Sequence, residues 1–223
     1  MGIQEQPPTA RLDAAIRELN GESASFQSTV EVDGRQIFFL SATPALAADR
    51  RCTVLLVHDQ INDSFVWSEI KTIQVLAAHG YRCVALDLPS NGRSEGPSVG
   101  SPSERADFLR NFLESVQRSE EESFVLVGAS MAGHENISRL IGVVGIALSD
   151  TQDLQPATQL PPTLAIRGEL DTSIGLSAST AFKSFENVRQ FVIPNGKHLC
   201  HLANSELFNR VLLDFLNDLP NNS

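Results

Sequence analysis

Ser123-Phe-Val-Leu-Val-Gly128-Ala-Ser130-Met-Ala-Gly133-His-Glu-Asn-Ile-Ser-Arg-Leu140 carries the most informative local pattern in the chain. Phe124 to Val127 is an unbroken apolar run, as expected of a parallel strand buried on both faces. It stops at Gly128 and passes through Ala-Ser-Met-Ala-Gly into a segment that can be helical. A serine at a strand-to-helix corner among tiny neighbours is the nucleophile-elbow pattern. The corner strains the serine backbone, so only small flanking residues fit, and it lifts the hydroxyl above the sheet. The usual spacing is G-x-S-x-G; here it is Gly128-Ala129-Ser130-Met131-Ala132, with Gly133 one place late. Five residues with one mismatch also fit an ordinary Gly/Ala-rich turn, so the rest of the chain has to supply the partners.

The chain has 223 residues, 42% hydrophobic and 20% charged, which suits one domain with a sizeable core. Residues 1–25 read as an N-terminal tail with a short amphipathic helix from Thr9, striped by Leu12, Ile16 and Leu19. Residues 26–223 read as a single domain. A formal charge of −10 argues against nucleic acid or an anionic membrane as the main partner. No apolar run approaches the roughly 18 residues that span a bilayer, and Met1 to Gln6 lacks a secretory apolar core. Cys52, Cys83 and Cys200 are odd in number and read as buried thiols in a reducing compartment. A cytoplasmic location follows, with the nucleus as its alternative. No Cys/His spacing resembles a metal site and no Gly-rich phosphate loop is present, so no cofactor is required.

Two alternating runs, 26–32 and 36–40, flank Asp33-Gly34 and read as a hairpin forming an antiparallel edge. Strands are then expected over 51–57, 81–87, 143–148, 163–167 and 188–193, besides the elbow strand. Helices are expected over 67–79, closed by Gly80, and over 104–118, with Phe108, Phe112, Leu113 and Val116 inward; residues 95–103 read as loop. Two further helices are expected over 176–185 and 206–219. Strands alternating with helices mean a mostly parallel sheet covered on both faces. Such sheets bind ligands outside the carboxyl ends of their strands. That rule selects His58-Asp59-Gln60, Asp87, Ser130, Asp150, Asp171 and His198.

A serine hydroxyl needs a base, and a histidine base needs an acid to fix its tautomer. Ser130, Asp171 and His198 supply these at three strand exits. Asp150 and Asp153, after the preceding strand, compete for the acid's place. His201 competes as base, although it lies deeper in the C-terminal segment. His134, four residues past Ser130, reads as a polar helix-face residue, and His79 as a helix-end histidine favoured electrostatically. Asp87 reads as a strand-end residue that hydrogen-bonds its loop. The oxyanion would be held by the backbone N–H groups of Met131 and Gln60.

Asp59 lines the expected substrate pocket and is the awkward residue there. A carboxylate 4 Å from a developing oxyanion would oppose it by about 4 kcal/mol at an effective dielectric near 20, roughly a thousandfold in rate. Aspartate tolerates left-handed backbone geometry, so the turn itself is expected to survive. Either the carboxylate points away, or the protein is a slow catalyst; an acid at the mouth would also favour a cationic substrate.

Val54-Leu-Leu-Val-His58 with Trp67 nine residues on, Gly80-Tyr-Arg-Cys-Val-Ala-Leu-Asp-Leu-Pro89 and Gly92-Arg-Ser94 together resemble the α/β-hydrolase superfamily. Gly196-Lys-His198-Leu-Cys200 looks most like the histidine loop of the α/β-hydrolase domain-containing protein 14 subfamily. The resemblance covers roughly residues 28 to 219. It implies an α/β-hydrolase fold and a serine hydrolase with Ser130, Asp171 and His198 as triad, acting on small acyl esters. For one branch it implies acyl transfer from acetylated lysine to coenzyme A. The chain departs from the pattern at Asp59 and Ser90, where Gly is usual, and at Ala132. Residues 149–162 form a short polar loop where larger relatives insert a lid, so no lid domain is expected. An open, shallow pocket suits a small acyl substrate or an acylated side chain on another protein. The alternative is a catalytically weak or inactive binding or interaction protein on the same fold. A dehalogenase would need a carboxylate where Ser130 stands. Oligomeric state is not legible from the chain.

Overall fold

Asp33 and Gly34 take φ values of 49° and 74°, the paired left-handed geometry of a two-residue hairpin turn. They join β1 (Ser25–Val32) to β2 (Arg35–Ala42), which pair antiparallel along their whole length. The structure, a computed structural model, describes residues 25–44, 52–129, 139–148 and 160–220. The expected N-terminal helix, the elbow helix after Ser130 and most of the 149–162 loop lie outside the described residues.

Six more strands complete one sheet: β3 (Cys52–Val57), β4 (Arg82–Leu86), β5 (Ser123–Ala129), β6 (Leu140–Ile146), β7 (Thr163–Gly168) and β8 (Val188–Ile193). Their order is β1-β2-β4-β3-β5-β6-β7-β8. The first hairpin is antiparallel to β4, and every later neighbour is parallel. The expected mostly parallel α/β sheet with an antiparallel N-terminal edge is therefore present. All six residues of β3 and all five of β4 are buried, as a strand covered on both faces requires. Alternate residues serve opposite layers. Val54, Leu56, Val125 and Val127 pack with Trp67, Leu76, Phe208 and Leu212 on one face. Leu55, Val57, Phe124 and Leu126 pack with Phe108, Leu109 and Phe112 on the other.

The helices depart from expectation in instructive ways. The single helix expected over 67–79 is two, α1 (Val66–Glu69) and α2 (Thr72–Ala78), broken at Lys71 with φ 65°. The break leaves a carbonyl of Ile70 to be satisfied elsewhere. Asn209 Nδ2, from the last helix, donates to it at 2.9 Å, while Asn209 Oδ1 accepts from the Thr72 hydroxyl at 2.7 Å. At the other end of α2, Gly80 (φ 84°) donates to Ala77 O and Tyr81 to Leu76 O, the paired bonds of a glycine-terminated helix. α3 (Pro102–Val116) begins two residues earlier than expected, inside the supposed loop. Ser101 and Glu104 cap it reciprocally and Pro102 occupies its first turn. α4 (Ile174–Ala181) runs into a single tight turn over Phe182–Ser184. A short α5 (Cys200–Ala203), not expected from the sequence, precedes α6 (Ser205–Asp218). β6 occupies 140–146 rather than 143–148. Gly142 within it admits the Leu219 side chain, which a Cβ there would approach to 2.9 Å.

At the amino ends of the central strands, Glu122 is buried among donors. Thr53 Oγ1 and Arg118 Nε reach its Oε1, and the Arg118 N–H reaches its Oε2 at 2.7 Å. Arg82 stands 3.7 Å from the same carboxylate. Burial opposes the charge, yet these donors and cations outweigh it and hold the Glu122 carboxyl below the ordinary glutamate value.

Candidate active site

The exits of β7 and β8 bring two of the expected residues together. Asp171 lies in the loop leaving β7, its side chain 3% exposed, and its Oδ2 is 2.8 Å from Nδ1 of His198, past the end of β8. The two loops are stitched by Leu170 N–H to Gly196 O at 2.8 Å, Glu169 N–H to Ile193 O at 3.0 Å and Asn195 N–H to Glu169 Oε2 at 2.9 Å. Their approach depends on glycine: a Cβ on Gly168 would lie 2.2 Å from Lys197 O, and one on Gly175 would lie 2.8 Å from Asp171 Oδ2. Burial opposes ionisation of Asp171. The His198 hydrogen bond, the Gly175 N–H, the nearby imidazole charge and the Ser173 N–H outweigh it and hold the carboxyl below the usual aspartate value. An ionised Asp171 can only accept, so Nδ1 of His198 carries the proton and Nε2 is left as the basic atom. Ser130 and Met131 lie outside the described residues; β5 is described to Ala129, the residue before the serine. Asp150, Asp153, Ala132 and His134 also lie outside them.

His201 does not share this arrangement. It is fully buried, stacked on Trp67 with ring centroids 5.4 Å apart and edge-on to Phe208 at 5.8 Å. Neither ring nitrogen has a hydrogen-bond partner among the described residues. Burial drives its pKa down to about 4, the Asp59 charge opposing and the His198 charge reinforcing the shift. A fully buried imidazole is out of reach of a substrate proton, and its low pKa makes it a weak base. Cys200 beside it is buried, with its thiol pushed up to about 11 by burial, and so is no nucleophile either. His79 sits at the end of α2, its Nδ1 2.8 Å from Val75 O.

The loop leaving β3 is held at several points. The Leu88 N–H donates to His58 Nε2 at 2.9 Å, so that nitrogen is unprotonated and Nδ1–H donates to Asp59 O at 2.6 Å. Asp87 fills its expected part: its carboxylate accepts from the Ser64 and Arg93 N–H groups, tying the β3 and β4 exits together. Gly92 (φ 53°) is required there, because a Cβ would overlap Asp87 Oδ2. Asp59 is buried and outside the left-handed region, so the turn never needed the tolerance expected of aspartate. Its two carboxylate oxygens accept from the Ile61 N–H at 2.9 Å and from Asn62 Nδ2 at 2.7 Å. Ser90, by contrast, does adopt left-handed geometry, φ 69°. Gln60 is exposed, its carbonyl 3.5 Å from Asn91 Nδ2. An open, polar cleft of about 420 Å³ lies between these loops, lined by Ile61, Asn62, Asp63, Glu69, Ser90 and Asn91. Among the described residues no group of three or more His, Cys, Asp or Glu side chains could hold a metal ion. No described helix is long and apolar enough to cross a membrane.

The contribution of Asn62 was not foreseen. Its only sequence signal is an amide three residues beyond an aspartate in a turn-forming stretch, the spacing of a local side-chain lock.

Comparison with known proteins adds lineage to this geometry. A model of the alpha/beta hydrolase family matches residues 54–211. Protein ABHD14A of Danio rerio is 34% identical over 198 residues, 82% of this chain and 72% of that protein. ABHD14B of Rattus norvegicus, named as a proposed protein-lysine deacylase, is 31% identical over 86% of this chain and 96% of its own. Among solved structures, a CIB-like hydrolase from Thermoplasma acidophilum superposes with a TM-score of 0.78 at 21% identity, covering 88% of this chain and all of that one. The CarC serine hydrolase of carbazole degradation superposes at 0.71 with 17% identity, covering 87% of this chain and 99% of its own.

Proposed function

The chain belongs to the alpha/beta hydrolase family, and we propose that it is a serine hydrolase that works through an acyl-enzyme on Ser130. The Asp171–His198 hydrogen bond at adjacent strand exits carries this reading. His198 Nε2 takes the proton of the Ser130 hydroxyl as its Oγ attacks the acyl carbonyl, and Asp171 stabilises the imidazolium that forms. The N–H groups of Met131 and Gln60 hold the oxyanion. The imidazolium then protonates the leaving oxygen, sulfur or nitrogen. Water, activated by His198 in turn, releases the acid.

The substrates are small acyl esters, thioesters or amides, presented in solution or on a protein side chain. The name given to rat ABHD14B supports an acylated lysine as donor, with the thiol of coenzyme A as an alternative acceptor in place of water. Three free, buried cysteines fit a reducing, cytoplasmic setting. Asp59 favours a second reading, a catalytically weak protein that binds ligand or partner in the same cleft.

A fluorophosphonate probe at neutral pH separates the two. The first reading expects stoichiometric labelling and turnover of p-nitrophenyl acetate, both lost in Ser130→Ala. Folded protein that does not label overturns it. An acyl-chain-length series with and without coenzyme A then identifies donor and acceptor.

A further inference from the structure

Asp59 directly precedes Gln60, the proposed oxyanion donor, and a fixed negative charge beside a developing oxyanion opposes catalysis. The conformation of that charge therefore matters more than its presence. Both carboxylate oxygens are engaged by the residues immediately following. Oδ1 accepts the Ile61 N–H at 2.9 Å, and Oδ2 accepts the Asn62 side-chain amide at 2.7 Å, a short bond of the kind ionised acceptors make. The backbone on either side is fixed independently. His58 is clamped between the Leu88 N–H and Asp59 O, and Ser64 is held by Asp87. The direction of the carboxylate is thus set by one backbone N–H and one neighbouring side chain.

We propose that Asn62 is a positioning residue that holds the Asp59 carboxylate against its own loop and so keeps that charge off the oxyanion. The assignment rests on the serine-hydrolase reading above. The Ile61 N–H alone leaves χ1 and χ2 of Asp59 able to swing; the second bond, from Asn62, removes that freedom. Asn62 is partly buried and lines the polar cleft, so a replacement side chain there does not disturb the core. Loss of the amide, with the loop otherwise unchanged, would let the carboxylate sweep the mouth of the site. A full charge within several ångströms of the oxyanion slows acylation by about tenfold or more.

Asn62→Leu, which keeps the shape and removes the donor, tests this in two backgrounds, with the fluorophosphonate labelling rate as readout. In the natural chain the substitution is expected to slow labelling about tenfold or more. In an Asp59→Gly background, where no carboxylate remains to be positioned, the same substitution is expected to change it less than about twofold. Equal losses in both backgrounds would mean that Asn62 merely shapes the loop, and would overturn the assignment; so would no loss in the natural chain. Asn62→Gln, which retains an amide donor, is expected to recover part of the rate. Amide hydrogen exchange at Ile61 provides a readout that needs no activity. Its protection is expected to fall in Asn62→Leu, and unchanged protection would overturn the clamp geometry itself. A natural chain that never labels would instead overturn the hydrolase reading, and the catalytic role of Asn62 with it.

Discussion

Replacing His201 with phenylalanine should flatten the acid side of the stability curve. The folded chain holds His201 neutral between Trp67 and Phe208 with a pKa of about 4, whereas an unfolded histidine titrates near 6.5. Between those values the unfolded chain binds a proton that the folded chain refuses. Unfolding then takes up protons, and stability falls as pH falls. The contribution is fully present above about pH 6.5 and is spent by about pH 4. An interval of about 2.5 units at 1.36 kcal/mol each amounts to about 3 kcal/mol. Phenylalanine keeps both ring contacts and removes two buried nitrogens that have no partner among the described residues, each costing about 1–3 kcal/mol of desolvation. Stability at pH 7.5 should therefore hold or rise, less any strain from the slightly larger ring. Urea unfolding at intervals from pH 7.5 to 4.5 measures this, by far-UV dichroism and by fluorescence of Trp67, the single tryptophan. The wild-type curve minus the variant curve should change by about 3 kcal/mol across that range. An identical acid slope in the two proteins would refute the reasoning.

Substitutions at two other positions probe the ends of the sheet. A methyl group on Gly168 would press on the backbone carbonyls of Gly196 and Lys197. Gly168→Ala should displace the His198 loop from Asp171 and slow fluorophosphonate labelling by about a hundredfold, since a 1 Å misplacement costs that much; an unchanged labelling rate would show that the loops yield. Glu122→Ala would strand Arg82 among buried groups and should cost about 3–5 kcal/mol in urea unfolding at pH 7. Because the Glu122 carboxyl is held below its ordinary value, its contribution is present above about pH 4.3 and is lost as pH falls through the folded value. The milder Glu122→Gln should therefore remove an acid limb lying below the window of His201.

Much of the architecture was legible because it is written in periodicity. Asp33-Gly34 between alternating runs marked the hairpin, and 188–193 is a strand at the bounds expected. The features missed are those made by single bonds. Nothing in Lys71 announces a left-handed break; the break stands because Asn209, distant in sequence, satisfies the carbonyl it exposes. Ser101-Pro-Ser103 belongs by composition to a Gly/Ser/Pro-rich loop, although Ser101 caps the helix reciprocally with Glu104 and Pro102 opens it. In β6, Gly142 makes a poor strand residue by propensity and is tolerated because Leu219 fills its place. At the site, Asp171 and His198 were found because strand exits can be counted. The direction of the Asp59 carboxylate was not, since it depends on a turn closed by one amide.

The bond from Asn209 to Ile70 spans 139 residues, and this distance sets a clock on synthesis. At about 5–20 residues per second, the ribosome makes the break between α1 and α2 on the order of ten seconds before α6 exists to complete it. During that wait the apolar face of α2, with Ile73 and Leu76, has β3 and β4 to lean on but lacks Phe208 and Leu212. The nascent chain therefore presents a sticky, half-covered layer until its final helix emerges. A stalled or prematurely ended transcript would yield a product suited to chaperone capture and proteolysis.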